Sequence, residues 1–211
     1  WNINHRIISM TENEKYVPGE IKKLKYTLAS KYLCNFSVFQ SIPDSWAINQ
    51  ILPIVPLRRL DEEPTKPTTL ADITCDSDGK IDHFLGAEGN CNTLSLHELK
   101  EGEHYPIGFF LTGAYQDIMG DMHNLFGRLN EVHVFSDSED ESGFYIEEII
   151  HGQSAADVLN IMQYSPEMMC LKIKNEIDKK IRSGSIKPRV GVALNDFYEA
   201  NIHGYTYLEH L

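Results

Sequence analysis

Apolar periodicity predicts long helices toward both ends of the chain. Over residues 20–33 the apolar side chains fall on one helical face, which predicts an amphipathic helix packed on the body of the protein. A second helix is predicted to start at Ser165, an N-cap serine followed by Pro166, and to run on to Arg182. Its apolar positions recur every fourth residue, at Met169, Ile173, Ile177 and Ile181.

Two shorter helices are predicted in the same C-terminal part of the chain. Ser154 followed three residues later by Asp157 resembles a capping box and predicts a helix over 155–163. A last helical piece is predicted over about 193–202. From residue 153 onward the chain is therefore predicted to be helical.

The middle of the chain alternates short apolar runs with turn residues. The continuous run at 106–111 predicts a central strand, and the runs at 131–136 and 144–150 predict a hairpin with Val132 and Val134 facing inward. Short strands with this punctuation are typical of antiparallel sandwiches or barrels. We therefore predict an α+β fold: an antiparallel β-sandwich or barrel with helical additions at both ends.

The changes of pattern also predict where the parts of the chain begin and end. Residues 1–34 read as a helical segment that ends an insertion or linker, residues 35–152 as the antiparallel β-domain, and residues 153–211 as a C-terminal helical extension. The first residue, Trp1, is not a start methionine. We take the chain to be a fragment or processed piece of something longer.

Composition narrows the classes of partner. The formal charge of −12 and the absence of a basic cluster with interleaved aromatic residues argue against nucleic acid. No apolar stretch approaches the roughly 20 residues that span a bilayer, and no signal pattern opens the chain, so a cytoplasmic location is the default expectation. The four widely spaced cysteines read as free thiols in a reducing compartment.

Candidate chemistry is concentrated in the stretch 70–82. A strand-like run ends there in Cys75 and Asp76, and the turn residues that follow include Asp78 and Gly79. Functional residues are often found where a strand gives way to a loop. For Cys75 alone, burial as a small apolar side chain is the plain alternative.

Metal sites fit this stretch poorly. If Gly79 is aligned with position six of an EF-hand loop, Thr74 and Leu85 fall where an acid and a bidentate glutamate are required, so calcium is disfavoured. A zinc site lacks the closely spaced Cys or His pairs that structural zinc sites carry. The four candidate ligands of such a zinc site would be Cys75, His83, Cys91 and His97.

Five sequence blocks resemble, in the same order, signature blocks of the bacterial biosynthetic arginine decarboxylases, and the similarity runs from about Tyr32 to Glu209. The blocks are Cys34-Asn35-Phe36-Ser37-Val38-Phe39-Gln40-Ser41, Thr74-Cys75-Asp76-Ser77-Asp78-Gly79, Gly113-Ala114-Tyr115-Gln116, His123-Asn124-Leu125-Phe126-Gly127 and Gly204-Tyr205-Thr206-Tyr207-Leu208-Glu209. That family uses pyridoxal phosphate, held on a lysine of an alanine-racemase-like barrel. This chain resembles only the C-terminal β-domain with its helical additions, so the resemblance implies that the fragment alone is inactive.

The resemblance also implies roles for individual residues. Cys75 would donate the proton to Cα after decarboxylation, and Asp76 would bind the cationic end of the substrate. Asp78 would assist, or be a solvated turn acid. Tyr115 would approach the cofactor phosphate, or pack at a strand end. Mg²⁺ is a further cofactor expected from the resemblance, whereas His123 receives no role.

Partners and function follow from the same resemblance. The Cys75-Asp76 segment would enter the active site of the opposite protomer, which implies at least a homodimer, completed by an upstream barrel domain. Cys-Asp in place of the Cys-Glu of the diaminopimelate decarboxylases favours a basic substrate. The expected reaction converts L-arginine to agmatine and CO2 for polyamine synthesis. A sister decarboxylase acting on lysine or ornithine, and a non-catalytic regulatory relative, stay open.

Overall fold

The computed structural model describes residues 2–11, 16–86, 89–113 and 115–209 of the 211-residue chain. Within these residues there are eight helices and a 3₁₀ turn at His123–Leu125. The helices are α1 (Asn2–Thr11), α2 (Gly19–Thr27), α3 (Val38–Ser41), α4 (Pro43–Ala47), α5 (Gln116–Met119), α6 (Ala155–Ile161), α7 (Pro166–Arg182) and α8 (Pro188–Ile202). No helix in the described ranges is both long enough and apolar enough to cross a membrane.

The strands of the described residues are short and form small sheets. They are β1 (Ser30–Leu33), β2 (Ile54–Pro56), β3 (Lys66–Ala71), β4 (Lys80–Ile81), β5 (Phe84–Gly86), β6 (Gly89–Cys91), β7 (Leu94–Leu96), β8 (Ile107–Phe109), β9 (Glu131–Ser136) and β10 (Phe144–Ile150). One sheet has four strands, and three sheets have two. The mixed α+β class is confirmed, but the described strands do not close into a barrel.

The chain forms two compact units, which are described separately. Unit 1 comprises Trp1–Cys34 and Asp44–Gln116, and unit 2 comprises Asn35–Pro43 and Asp117–Leu211. Each unit is therefore assembled from two separate stretches of sequence.

Unit 1 is organised around β3. This strand pairs in parallel with β1 and in antiparallel fashion with β4 and β7, so it lies inside the four-stranded sheet. Its residues Thr68 and Leu70 are completely buried, and Leu70 lies opposite Tyr32 of β1. The Tyr32 hydroxyl donates a 2.7 Å hydrogen bond to the carbonyl of His97, just after β7. This sheet fixes the position where β3 ends.

Two predictions in unit 1 are wrong in part. The helix predicted over 20–33 ends at Thr27, and residues 30–33 form β1 instead, because pairing with β3 outweighs the local helical pattern. The run at 106–111 is not a central strand. Only β8 is extended there, it pairs with β2 alone, and Leu111 adopts a left-handed backbone with φ of 58°.

The helices of unit 2 confirm the capping signals. Ser154 and Asp157 form a reciprocal capping box at the start of α6, and Ser165 caps α7, with Pro166 in the first turn. Helix α8 starts at Pro188, ahead of the predicted start at 193, and packs closely on α7. A Cβ atom on Gly191 would lie 2.5 Å from the end of the Ile181 side chain, so glycine lets the two helices approach closely at this point.

The predicted hairpin of unit 2 is confirmed as β9 and β10, with a register shift between Ile146 and Glu148. The expectation that Val132 and Val134 point into a core is not met. They are 46% and 55% exposed. The physical reason is that a two-stranded sheet has no layer of its own to cover either face.

Candidate functional site

The candidate site lies on the loop that joins β3 to β4. Backbone hydrogen bonds close this loop at its neck: the Asp72 N–H donates to the Gly79 carbonyl at 2.8 Å, and the Gly79 N–H donates to the Asp76 carbonyl at 3.1 Å. The Lys80 N–H then donates to the Asp78 carbonyl at 2.8 Å. Residues 72–79, which we call the Cys75 loop, therefore form a compact turn with a fixed base.

The base of the Cys75 loop contains a buried carboxylate. Asp72 is only 3% exposed, and its Oδ1 accepts hydrogen bonds from the Thr74 N–H at 2.9 Å and the Thr74 hydroxyl at 2.7 Å. Gly79 closes over this pair, since a Cβ atom there would lie 2.2 Å from Asp72 Oδ1. Sequence reasoning gave Asp72 no role of its own, and its place immediately after β3 was the only available signal.

The three predicted site residues of the loop differ in their surroundings. Cys75 is exposed, whereas Asp76 is partly buried and uses Oδ1 to accept a 2.8 Å hydrogen bond from the Asp78 N–H. That bond makes Asp76 part of the turn itself. The Asp78 side chain is exposed and lines an open cleft of about 650 Å³. The structure thus brings Cys75, Asp76 and Asp78 together in one loop with distinct environments.

The cleft beside Asp78 combines an aromatic ring with polar side chains, among them Trp46, Asn49, Lys80 and Asp82. The Asp82 carboxylate forms an ion pair with Lys80 Nζ at 2.9 Å, and its other oxygen lies 2.7 Å from His83 Nδ1. Desolvation works to raise the pKa of the Asp82 carboxyl, but the hydrogen bonds and charges of these two partners outweigh it and lower the pKa. Asp82 is therefore ionised and already paired.

A second thiol lies near the base of the Cys75 loop. The Cys34 N–H donates a 2.8 Å hydrogen bond to the carbonyl of Ala71, the residue before Asp72. Burial and then the negative charge of Asp72 raise the pKa of the Cys34 thiol to about 11. Cys34 is therefore a neutral thiol near pH 7, and it is no candidate nucleophile.

Tyr115, the predicted phosphate ligand, lies on a different loop of unit 1, between β8 and α5. Its ring is 72% exposed. The next residue, Gln116, is buried and binds Asp44 at both ends of its amide: it donates to the Asp44 carboxylate and accepts from the Asp44 N–H. Gln116 thereby anchors the end of the loop that presents Tyr115. This anchoring role was not predicted.

Residues of the other three blocks of the resemblance pack together inside unit 2. Gly127 donates its N–H to the Thr206 hydroxyl at 3.0 Å and accepts from the Tyr207 hydroxyl at 2.7 Å. The rings of His123 and Phe39 lie with centroids 4.5 Å apart. These contacts join segments far apart in sequence, so the block that contains His123 has a structural role in unit 2.

No group of three or more His, Cys, Asp or Glu side chains in the described ranges is placed to hold a metal ion. Within the zinc candidates, both ring nitrogens of His97 are already within hydrogen-bond distance of the Tyr105 hydroxyl and the Glu62 carbonyl. The Mg²⁺ expected from the resemblance gains no support from this part of the chain.

Comparison with known protein families identifies the helical end of the chain. Residues 155–208 match the family model described as the arginine decarboxylase C-terminal helical extension. These residues contain α6, α7 and α8.

Comparison with individual proteins extends the match to nearly the whole chain. A biosynthetic arginine decarboxylase of Phocaeicola vulgatus is 46% identical over 209 residues, and one of Gloeobacter violaceus is 45% identical over 210 residues. Each alignment covers 99% of this chain and 33% of the relative, so the chain spans about a third of the length of the curated relatives it matches.

A solved structure supports the same relationship. The crystal structure of the biosynthetic arginine decarboxylase SpeA from Campylobacter jejuni matches with a TM-score of 0.74 and 32% identity, over 99% of this chain and 37% of the other. By sequence over nearly its whole length, and by fold, the chain is similar to the C-terminal region of the biosynthetic arginine decarboxylases.

Proposed function

We propose that this chain is the C-terminal part of a pyridoxal-phosphate-dependent arginine decarboxylase, which converts L-arginine to agmatine and CO2. The observation that carries the proposal is the exposed Cys75 on a closed loop, in a chain whose relatives of that name match it over 99% of its length. The Cys75 thiol is exposed on a loop that also carries Asp76 and Asp78, and a proton donor to a bound substrate must be accessible in this way.

Cys75 delivers the proton that completes the reaction. The chemistry that the cofactor would supply, when bound, is an electron sink for the pair that the departing CO2 leaves on Cα. The Cys75 thiol then protonates Cα, and the resulting thiolate regains a proton from solvent. Cys75 must lie within hydrogen-bond reach of Cα for this transfer, so the rate of protonation depends on where the loop places the thiol.

Asp76 and Asp78 bind the guanidinium group of the substrate. A carboxylate accepts a charge-assisted and bidentate pair of hydrogen bonds from a guanidinium. The exposed Asp78 carboxylate faces the cleft, whereas Asp76 has one oxygen engaged in the turn. Asp78 therefore has the greater freedom to form the bidentate pair, and Asp76 adds negative charge beside it.

Tyr115 is the residue of this chain that suits the cofactor. Its exposed ring carries a hydroxyl that can donate to a phosphate oxygen, and the Gln116–Asp44 anchor holds its loop. The lysine that links the cofactor would lie on an upstream barrel, outside this sequence. Tyr115 would thus be one ligand of the cofactor phosphate, and the other ligands would come from outside this sequence.

The proposal includes an assembly. The exposed Cys75 is accessible to a second subunit, as a site shared between two subunits requires, so the active form is at least a homodimer. The predicted parts, 1–34, 35–152 and 153–211, are the linker, a sandwich-like β-domain and the helical extension of that protein. We also propose that the protein acts in the cytoplasm and that its reaction serves polyamine synthesis.

The test is Cys75→Ala in the full-length protein, with Cys170→Ala as the matched control because Cys170 lies on α7, in unit 2. Cys75→Ala should lower agmatine formation by about 100-fold or more, in line with the contribution of general acids, with the cofactor spectrum retained. The control should form agmatine at the normal rate. Normal agmatine formation by Cys75→Ala would remove the proton-donor role.

Substrate choice needs its own assay. The full-length protein should release CO2 from L-arginine much faster than from L-lysine or L-ornithine. A preference for lysine or ornithine would make it the sister decarboxylase. Release from none of the three, by folded protein with cofactor added, would favour the non-catalytic relative.

A further inference from the structure

We infer that Asp72 is a positioning residue that sets the direction of Cys75, an inference that rests on the proposed function of Cys75. Asp72 is the first residue of the Cys75 loop and is almost completely buried. Its side chain does not extend toward solvent, because Oδ1 turns back to bind both the N–H and the hydroxyl of Thr74. Thr74 is the residue directly before Cys75.

The loop holds Cys75 from both sides. On the N-terminal side, Asp72 fixes the Thr74 N–H and hydroxyl. On the C-terminal side, the Asp76 carbonyl accepts from the Gly79 N–H, and Asp76 Oδ1 accepts from the Asp78 N–H. The backbone of Cys75 therefore lies between two hydrogen-bonded neighbours, and its Cα–Cβ bond has one direction.

Gly79 explains why the base of the loop is tightly packed. Its backbone lies directly against the Asp72–Thr74 pair, since an added Cβ atom would fall 2.2 Å from Asp72 Oδ1 and 2.5 Å from the Thr74 hydroxyl. Asp72 also donates its own N–H to the Gly79 carbonyl at 2.8 Å. Asp72 thus fastens the two ends of the loop to each other and the residue before Cys75 to its base.

Burying a carboxylate in a turn costs free energy of desolvation, which its hydrogen bonds must offset. A side chain that must deliver a proton to one carbon atom needs a fixed position, because a displacement of about 1 Å can lower a rate by about 100-fold. Asp72 meets that need while remaining out of contact with solvent. It acts through Thr74 and is not itself a proton donor.

The experiment compares three variants of the full-length protein. Asp72→Ala removes the acceptor, Asp72→Asn keeps an oxygen that can accept from Thr74, and Thr74→Val removes only the hydroxyl bond. We expect Asp72→Ala to lower kcat by about 10- to 100-fold with a small change in KM, Asp72→Asn to stay within about threefold of the parent, and Thr74→Val to fall between them. Asp61→Ala, at an exposed position before β3, is the matched control.

Two readouts separate positioning from simple loss of stability. The first is the ratio of CO2 released to agmatine formed, which should rise above one in Asp72→Ala. Where a displaced Cys75 fails to protonate Cα, the proton would be taken up on the cofactor instead, and water would release the substrate carbon as an aldehyde while its amino group stays on the cofactor. The second is hydrogen exchange of the Thr74 amide, which should become faster in Asp72→Ala while the β3 amides stay protected. If Asp72→Ala does not fold, Thr74→Val provides the same two readouts.

The outcomes distinguish this inference from the proposed function. If Cys75→Ala forms agmatine normally, the proton-donor role fails and the positioning role fails with it. If Cys75→Ala is impaired but Asp72→Ala and Thr74→Val keep a ratio of one and the parental kcat per folded molecule, only the positioning role is overturned. Impairment of Asp72→Ala with recovery in Asp72→Asn supports it.

Discussion

The Tyr207 hydroxyl donates a 2.7 Å hydrogen bond to the Gly127 carbonyl, 80 residues earlier in the chain. Tyr207 is 5% exposed, and its ring stacks on Phe126 with centroids 5.2 Å apart. The neighbouring residue Thr206 accepts a hydrogen bond from the Gly127 N–H. Both polar groups of Gly127 are thereby satisfied by the last described segment of unit 2, so this segment is part of the core.

Removing the Tyr207 hydroxyl should destabilise the protein measurably. In Tyr207→Phe the ring is kept but the Gly127 carbonyl loses a buried partner, so we expect a loss of about 1–3 kcal/mol in the free energy of unfolding. Urea unfolding measures the loss. Tyr164→Phe is the matched control, since Tyr164 is 63% exposed and should change stability by less than about 0.5 kcal/mol. Equal stability of the two variants would contradict the role of the hydroxyl.

Gly79→Ala should disturb the Cys75 loop. The new methyl group would lie 2.2 Å from Asp72 Oδ1, so either the loop or the buried carboxylate must move, at a cost of about 1–3 kcal/mol. Gly19→Ala is the control, because no atom lies within 4 Å of the added Cβ at this helix start. Thermal unfolding of both variants tests the expectation, and a Gly79→Ala protein as stable as the control would show that the loop base has spare room.

The β9–β10 hairpin should respond to pH through His133. The hydrogen bond that His133 Nε2 donates to the Glu131 carboxylate at 2.6 Å, with the Glu148 carboxylate 3.7 Å from Nδ1, raises the pKa of His133 above its ordinary value of 6.5. Because the folded pKa is the higher one, this contribution to stability is complete below pH 6.5 and is lost as the pH rises through the raised pKa.

Histidine titration followed by NMR measures that shift. Glu131→Gln should move the pKa of His133 back toward 6.5, because the main hydrogen bond to a charged acceptor is gone. Glu139→Gln, at the tip of the same hairpin, should leave the titration of His133 unchanged. A pKa of His133 that is the same in all three proteins would mean that Glu131 does not bind it in solution.

Cys34 should resist alkylation in the folded protein. Burial and the charge of Asp72 raise the pKa of Cys34 to about 11, so little thiolate is present at pH 8, and the rate should rise about tenfold per pH unit from there. Peptide mapping after iodoacetamide treatment at several pH values measures it. In urea the ordinary value of 9.0 should return, and Asp72→Asn should lower the pKa of Cys34 in the folded protein. Rapid labelling of native Cys34 at pH 8 would contradict its burial beside Asp72.

The sequence by itself determined the features that depend on neighbouring residues. The caps at Ser154 and Ser165 and the hairpin formed by β9 and β10 follow from short-range patterns, and the structure has them where the sequence predicts. The position of Cys75 in a turn just after a strand was also readable, since turn residues follow it directly. Such signals are local because capping and turn bonds join residues two to four apart.

Only the tertiary structure decided the features that depend on distant partners. Residues 30–33 continue a helical pattern, yet they become β1 because β3 offers a ladder of hydrogen bonds from 38 positions away, as in the pairing of Ser30 with Thr68. Asp72 looks like one more loop acid in the sequence, yet the sheet buries it against Gly79, where its carboxylate fastens the Cys75 loop. Burial and long-range pairing depend on the whole fold, so no pattern in the surrounding residues predicts them.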